Sequence, residues 1–447
     1  MSRIRRFAVV ATVGMAFATT AIPARAATTE LVKDINPSGD SFANQFTDVG
    51  GTMFFQADDG THGWELWKSD GTENGTRLVR DINPSGNSYP KSFINVGGTL
   101  YFSAKDGAHG EELWKSDGTA RGTKLVKDIR RSGDASPGFL TNLGGTLFFS
   151  ATDDFHGREL WKSDGTALGT KRVADINPSV GSGPRYLTSV RGTLFFAAND
   201  GTHYEELWKS DGTALGTKRI TNINPSGSST VSLLTYVGQT LFFVASDSTH
   251  GFELWKSDGT AHGSKLVKDV WPGASNSGIS EPTNVGGTLF FVAEDGTHGL
   301  ELWKSDGTAF GTKQVKDIWL GAGSSAPYHL TNYGGTIFFG AEDRAHHVEL
   351  WKSDGTAHGT ILVKDIVKPG GSGPQFFEIK GGKLFFAASD GTGYELWRTN
   401  GTAKGTRLVE DINPSGGSNP FELTNLGGTL YFRADDGTHG IELWKNA

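Results

Sequence analysis

Glu159-Leu160-Trp161-Lys162-Ser163-Asp164-Gly165-Thr166-Ala167-Leu168-Gly169-Thr170 decides the reading of this chain. Its first five residues are a strand-like run rich in Leu and Trp. Asp-Gly-Thr then supplies a turn, because Asp can bond its own backbone two residues on and Gly accepts a left-handed conformation. The Glu-Leu-Trp triplet recurs with its tryptophan at Trp67, Trp114, Trp161, Trp208, Trp255, Trp303, Trp351, Trp397 and Trp444, at spacings of 47, 47, 47, 47, 48, 48, 46 and 47 residues. A period of this length, held over most of a 447-residue chain, is the signature of a repeat architecture.

Working outward from the triplet, each unit contains four short strand-like runs. Strand A is typified by Leu140 to Leu143, strand B by Thr146 to Ala151, strand C by Glu159 to Ser163 and strand D by Lys124 to Ile129. Gly144-Gly145 joins A to B, and two glycines suit a two-residue hairpin turn that needs φ > 0 at both positions. Strand B is apolar on consecutive residues (Leu147, Phe148, Phe149), so both of its faces are buried and each small sheet is sandwiched between neighbours. No segment carries a sustained helical period. The reading is an all-β, single closed β-propeller of nine four-stranded blades. A strand-D run, Leu31 to Ile35, comes before the first full unit, and Glu442 to Lys445 is a strand C with no D after it. Pairing the N-terminal D strand with the C-terminal A, B and C strands closes the ring and hides both orphan edges.

Residues 1–26 read as a secretory signal, with Arg3, Arg5 and Arg6, an apolar stretch from Phe7 to Ile22, and small residues at Ala24 and Ala26. The propeller then occupies residues 27–447. The net charge of −7 becomes −11 once the four arginines of that leader are removed, which argues against a nucleic-acid partner. No span crosses a membrane in the expected mature chain. The absence of cysteine excludes disulfides, thiolate metal sites and a cysteine nucleophile.

The repeated ELWKSDGTxxGT segment resembles the ELWxxDGT repeat proteins of bacteria, sometimes labelled hyalin-like. The resemblance covers Leu31 to Lys445 and weakens at Arg398-Thr399-Asn400-Gly401-Thr402, where Asn stands in place of Asp. It implies a secreted propeller and brings no catalytic residues with it.

Two series invite a chemical reading. His62, His109, His156, His203, His250, His298, His346 and His439 occupy equivalent places before strand C, and the eighth unit lacks one. The functional reading is a ring of metal or acid–base sites. The structural reading, favoured because the feature occurs eight times, is a buried hydrogen-bond network with both imidazole nitrogens paired. Asp58-Asp59-Gly60-Thr61 and Asp435-Asp436-Gly437-Thr438 resemble calcium loops but lack the ligand alternation of an EF-hand. No metal site and no cofactor are expected, with calcium the one ion these loops leave open. No GxSxG, HExxH or phosphate-cradling GxxxxGK[ST] motif is present.

Repeated residues hold a fold, whereas residues that break the repeat are free to bind. Trp271 and Trp319 replace the Asn after strand D in adjacent units, and Tyr328 and His329 follow in the second. These four are the candidate ligand-binding residues, able to stack a sugar or anchor a protein loop, against the alternative that they pack on local apolar surface. The expected function is a secreted, monomeric, non-catalytic binding or scaffold module for an extracellular glycan or surface protein. An extracellular polysaccharide hydrolase or lyase with its site on one propeller face is the alternative, and an assembly module of a surface layer is a third.

Overall fold

The computed structural model describes residues 28–447; the expected leader, residues 1–26, lies outside them. Among the described residues there are 36 β-strands and no helix, and hence no helix long and apolar enough to cross a membrane. The strands form nine four-stranded antiparallel sheets. Blade 1 consists of A (Asn44–Val49), B (Thr52–Asp58), C (Trp64–Ser69) and D (Arg77–Arg80). Blades 2 to 8 repeat it over residues 91–127, 138–172, 185–219, 232–268, 280–316, 328–364 and 375–410. Blade 9 takes Phe421–Leu426, Thr429–Asp435 and Ile441–Asn446 from one end of the propeller and Thr29–Lys33 from the other. Leu31 lies opposite Trp444 and Lys33 opposite Leu443, so the ring is closed by the pairing the sequence called for. Every A strand touches the A strand of both neighbours, so the A strands surround the central opening and the D strands form the outer wall.

Each interface between blades is an apolar layer. Between blades 1 and 2, Phe54, Leu66 and Val79 meet Leu100, Phe102 and Trp114. The nine triplet tryptophans are only 3–9% exposed, which leaves no ring face free for a sugar. Each such side chain contributes about 1.5–3 kcal/mol by leaving water. The A–B hairpins turn on glycines with positive φ, for example 62° at Gly50 and 85° at Gly51.

Strand D is shorter than its sequence suggests. The run Lys124 to Ile129 forms a strand only over Lys124–Lys127. The reason is the triplet glutamate. Glu112 is fully buried, and its carboxylate accepts the Ile129 N–H at 2.9 Å and the Arg130 N–H at 3.1 Å, taking both donors out of the ladder. The first D run ends early for the same reason, with the Ile35 N–H donating to Glu442 at 2.9 Å.

Candidate functional site

The A–B and C–D turns emerge on one face of the ring, called here the turn face. The B–C and D–A connections emerge on the other, the loop face. On the loop face the repeat keeps one set of residues constant. Glu65 accepts the N–H groups of Ile82 and Ser88 and the Ser88 hydroxyl, the last at 2.7 Å, and fixes the D–A loop to strand C. Burial pushes this carboxyl up to about 7, against the pull of those donors. The same holds for Glu112, Glu253 and Glu442.

The histidine series lies on this face too, and its placement corrects the expectation of a buried network. Each ring donates its Nδ1–H to the Asp three residues earlier, at 2.7–3.1 Å, and 33–43% of each side chain remains exposed; among the described residues Nε2 comes near a second carboxylate only in His156 and His298, 4.0 Å from Asp175 and Asp317. The B–C loop projects past the sheet, so one side of the imidazole meets solvent. The aspartate also accepts nearby backbone N–H groups, as Asp59 does from Thr61 and His62, making a local turn brace. It holds the carboxyl of Asp59 below the usual carboxylate range and raises the His62 imidazole. Among the described residues no group of three or more His, Cys, Asp or Glu is placed to hold a metal ion.

The four residues singled out from the sequence sit in different settings. Trp271 is half-buried and lies over Gly296 of the next blade, the place the usual Asn takes over Gly60 in blade 1. Trp319, also half-buried, folds over Gly323 of its own loop. Tyr328 and His329 lie apart from both, at the start of the innermost strand of blade 7, with ring centroids 5.3 Å apart. Burial pushes the Tyr328 phenol up. Trp64, the remaining tryptophan outside the triplets, opens strand C of blade 1 half-buried and stacks on Phe42 at 6.0 Å and 19°.

The sequence reading named one member, His329, of a ring of nine positions around the opening and missed the other eight. The second residue of every A strand sits in a bulge with left-handed backbone, φ 53–61°: Gln45, Ser92, Phe139, Tyr186, Leu233, Glu281, His329, Phe376 and Glu422. Left-handed non-glycine residues are uncommon and cost free energy, so a ninefold recurrence is a built feature. The conformation is constant and the side chain is not. Acid, amide, hydroxyl, imidazole, aliphatic and aromatic groups all appear, in units that elsewhere are nearly identical. That variability was visible in the sequence, but it falls inside a strand, where it passed as ordinary drift.

These side chains reach from blade to blade. The Ser92 N–H donates to Gln45 Oε1 at 2.8 Å, and the Gln45 N–H to the Glu422 carboxylate. Phe139 meets Tyr186 at 5.8 Å, and Phe376 lies 5.4 Å from His329 and 4.3 Å from Phe421. The residue before each triplet glutamate varies as well and adds charge to the same rim. Glu111 pairs with Lys91 at 3.1 Å, Glu205 pairs with Arg185, and Arg158 donates to the Ser136 carbonyl at 2.9 Å. Two clefts open here. One, of about 570 Å3, is lined by Phe139, Arg158, Arg185 and Glu205 among others. The other, of about 440 Å3, is lined by Tyr328, Glu342, His347 and Tyr394 with the glycines of the adjoining loop.

No family model and no curated protein matches the chain. Several solved structures are similar to parts of it. A puromycin hydrolase is 14% identical over 77% of this chain and 58% of its own, with a TM-score of 0.40. A prolyl endopeptidase is 12% identical over 85% and 56%, with a TM-score of 0.44. A puromycin-hydrolysing peptidase of Mycobacterium tuberculosis is 11% identical over 77% and 57%, with a TM-score of 0.40. The chain thus spans less than three fifths of the length of each. Each of these chains is named as a hydrolase or peptidase, and against them the expectation of a non-catalytic binding or scaffold module is withdrawn.

Proposed function

We propose that the inner rim of the loop face recognises an extended peptide as a substrate, with each blade offering a different side chain along its length. The observation that carries this reading is the convergence of variation. Near-identical blades differ at the bulge of strand A and at the residue before the triplet glutamate, and these positions converge on one rim. A peptide fits the chemistry because the rim offers both signs of charge, through Lys91, Arg158 and Arg185 against Glu111 and Glu205, next to aromatic rings. Rings packed tilted or edge-on, as Phe139 is against Tyr186 and Phe376 against Phe421, suit apolar side chains better than the flat face of a sugar. The reading takes with it export through the basic and apolar residues 3–22, a monomeric state, and the ELWxxDGT kinship stated by the repeat itself.

The test incubates the protein with a synthetic peptide library, and mass spectrometry reads both the peptides retained and any fragments released. Arg185→Ser and Phe139→Ser place at the rim residues that other blades already carry there, Ser232 and Ser92, so both variants keep the fold. The expected result is a retained or cleaved set that shrinks at least about tenfold in the double variant, as the loss of an aromatic and a charged contact at the rim requires. No peptide retained or cleaved by the unaltered protein, or an unchanged set from the double variant, overturns the proposal.

A further inference from the structure

The turn face holds a second place where the repeat breaks, and there the breaks share one chemistry. In eight blades the lysine after the triplet tryptophan reaches the next blade and donates to the glycine carbonyl of its C–D turn, at 2.6–2.8 Å, as Lys68 does to Gly118. Blade 8 is the exception. Its neighbour, blade 9, is assembled from two parts of the chain, so no turn joins its C and D strands. The blade-8 counterpart, Arg398, has no such carbonyl ahead of it.

Five residues mark that gap: three lysines, an asparagine in place of an acid, and an arginine in place of lysine. Lys383 stands where the other eight blades have Thr, and Lys380 where they have an apolar or aromatic residue. Arg398 replaces Lys, and Lys404 lies in the C–D turn. Asn400 replaces the Asp found in the other seven such turns. Lys380 lies opposite Lys383, and Arg398 opposite Arg407, so cations face each other across two strand pairs. Like charges so placed are destabilising unless an anion lies between them. In blade 1 the corresponding Lys68 and Arg77 have Asp70 and Asp117 beside them. In blade 8 the amide of Asn400 keeps the turn, accepting from the Thr402 N–H at 3.1 Å and its hydroxyl at 2.8 Å, but supplies no charge. Lys383, Arg398, Asn400, Thr402, Lys404, Gly405 and Arg407 line a cavity of about 300 Å3 with no carboxylate in its wall. Among the described residues none of its four cations is in an ion pair, in a chain whose net charge is −7. Burial and the neighbouring Arg407 lower the Arg398 guanidinium, and burial with Arg398 and Lys383 lowers Lys380, which is the strain an anion would relieve. Lys380 itself is committed to the seam, donating to the carbonyl and side chain of Asn446 at 2.7 and 2.8 Å.

We infer that this pocket binds a divalent oxyanion, the phosphate or sulfate group of a small molecule or polymer, held by the Arg398 and Arg407 guanidinium groups with Lys383 and Lys404 around it. Guanidinium groups match the paired oxygens of such anions in a bidentate fashion, and four cations favour two negative charges over one. The site lies on the opposite face from the proposed peptide rim and stands or falls independently of it.

The experiment titrates the full protein at low ionic strength with inorganic phosphate, inorganic sulfate and, as the monovalent control, acetate, following heat and thermal midpoint. The key variant is Asn400→Asp with Lys383→Thr, which restores what the other blades carry and so retains the fold. The expected result is saturable binding of phosphate, sulfate or both in the unaltered protein, weaker binding of acetate, and at least about a tenfold loss of divalent-anion affinity in the double variant. Whichever of phosphate and sulfate binds more tightly identifies the source. Absence of binding by both, equal binding of acetate, or full affinity in the double variant overturns the inference.

Discussion

The junction between blades 1 and 2 and the junction between blades 8 and 9 use the same parts and arrive at different surfaces. At the first, Lys68 crosses to the Gly118 carbonyl at 2.6 Å, with Asp70 and Asp117 close to it. At the second, the turn that would supply the carbonyl is missing, Asp has become Asn400, and a cavity bordered by four cations remains. The seam is held elsewhere. Glu442 accepts the Ile35 and Asn36 N–H groups, more than 400 residues away in sequence, in the geometry Glu65 uses within its own loop. Closing a ring with its own ends therefore relieves one junction of a structural duty and leaves its residues free to change.

The largest effect separating frame from seam concerns the nine triplet glutamates. All nine are raised by burial, Glu65, Glu112, Glu253 and Glu442 to about 7, so above the ordinary carboxyl value the folded protein holds protons the unfolded chain releases, and stability falls as pH rises until the folded carboxyls have titrated. His62, His109, His250, His298 and His439 are also raised, and their contribution, full below the ordinary imidazole value, is lost as pH climbs past the folded one. The paired aspartates are lowered, and their contribution is lost only in acid. Thermal melts across the range are expected to peak near about pH 5 and to decline by several degrees toward about pH 8. A peak above neutrality would show that the glutamates are not protonated in the fold.

Glu65→Ala should cost about 2–4 kcal/mol, because it strands buried N–H groups of the D–A loop. Glu442→Ala should cost at least as much and also loosen ring closure, seen as a larger loss in denaturant midpoint and faster proteolysis near residue 35. Equal behaviour of the two variants would mean the seam is no more vulnerable than any other junction. The smallest difference lies in the strap residues. Lys68→Met removes a charged hydrogen bond across blades and should lower stability by about 1 kcal/mol, whereas Arg398→Met, which has no carbonyl ahead of it, should be neutral or stabilising. A comparable loss from both, by equilibrium unfolding, would erase the distinction between the junctions.

The amino-acid sequence by itself determined the blade number, the strand order, the burial of Trp67 and its eight counterparts, and closure through the N-terminal D strand, expected over Leu31 to Ile35 and found over Thr29–Lys33. Each follows from a local pattern repeated nine times, so error at one copy is corrected by the rest. It foreshortened strand A and overran strand D, because a bulge and a carboxylate that captures backbone N–H groups leave little trace in strand propensity. It also misjudged the histidines as buried, since exposure depends on how far a loop stands off its sheet. Only the tertiary structure decided which variable residues meet. Gln45 and Glu422 are 377 residues apart and touch at the rim. Lys383 and Arg407 lie on strands B and D of one blade and border one cavity. Side chains from distant segments become a surface when the ring closes, and the angle between blades sets that meeting, which no single repeat contains.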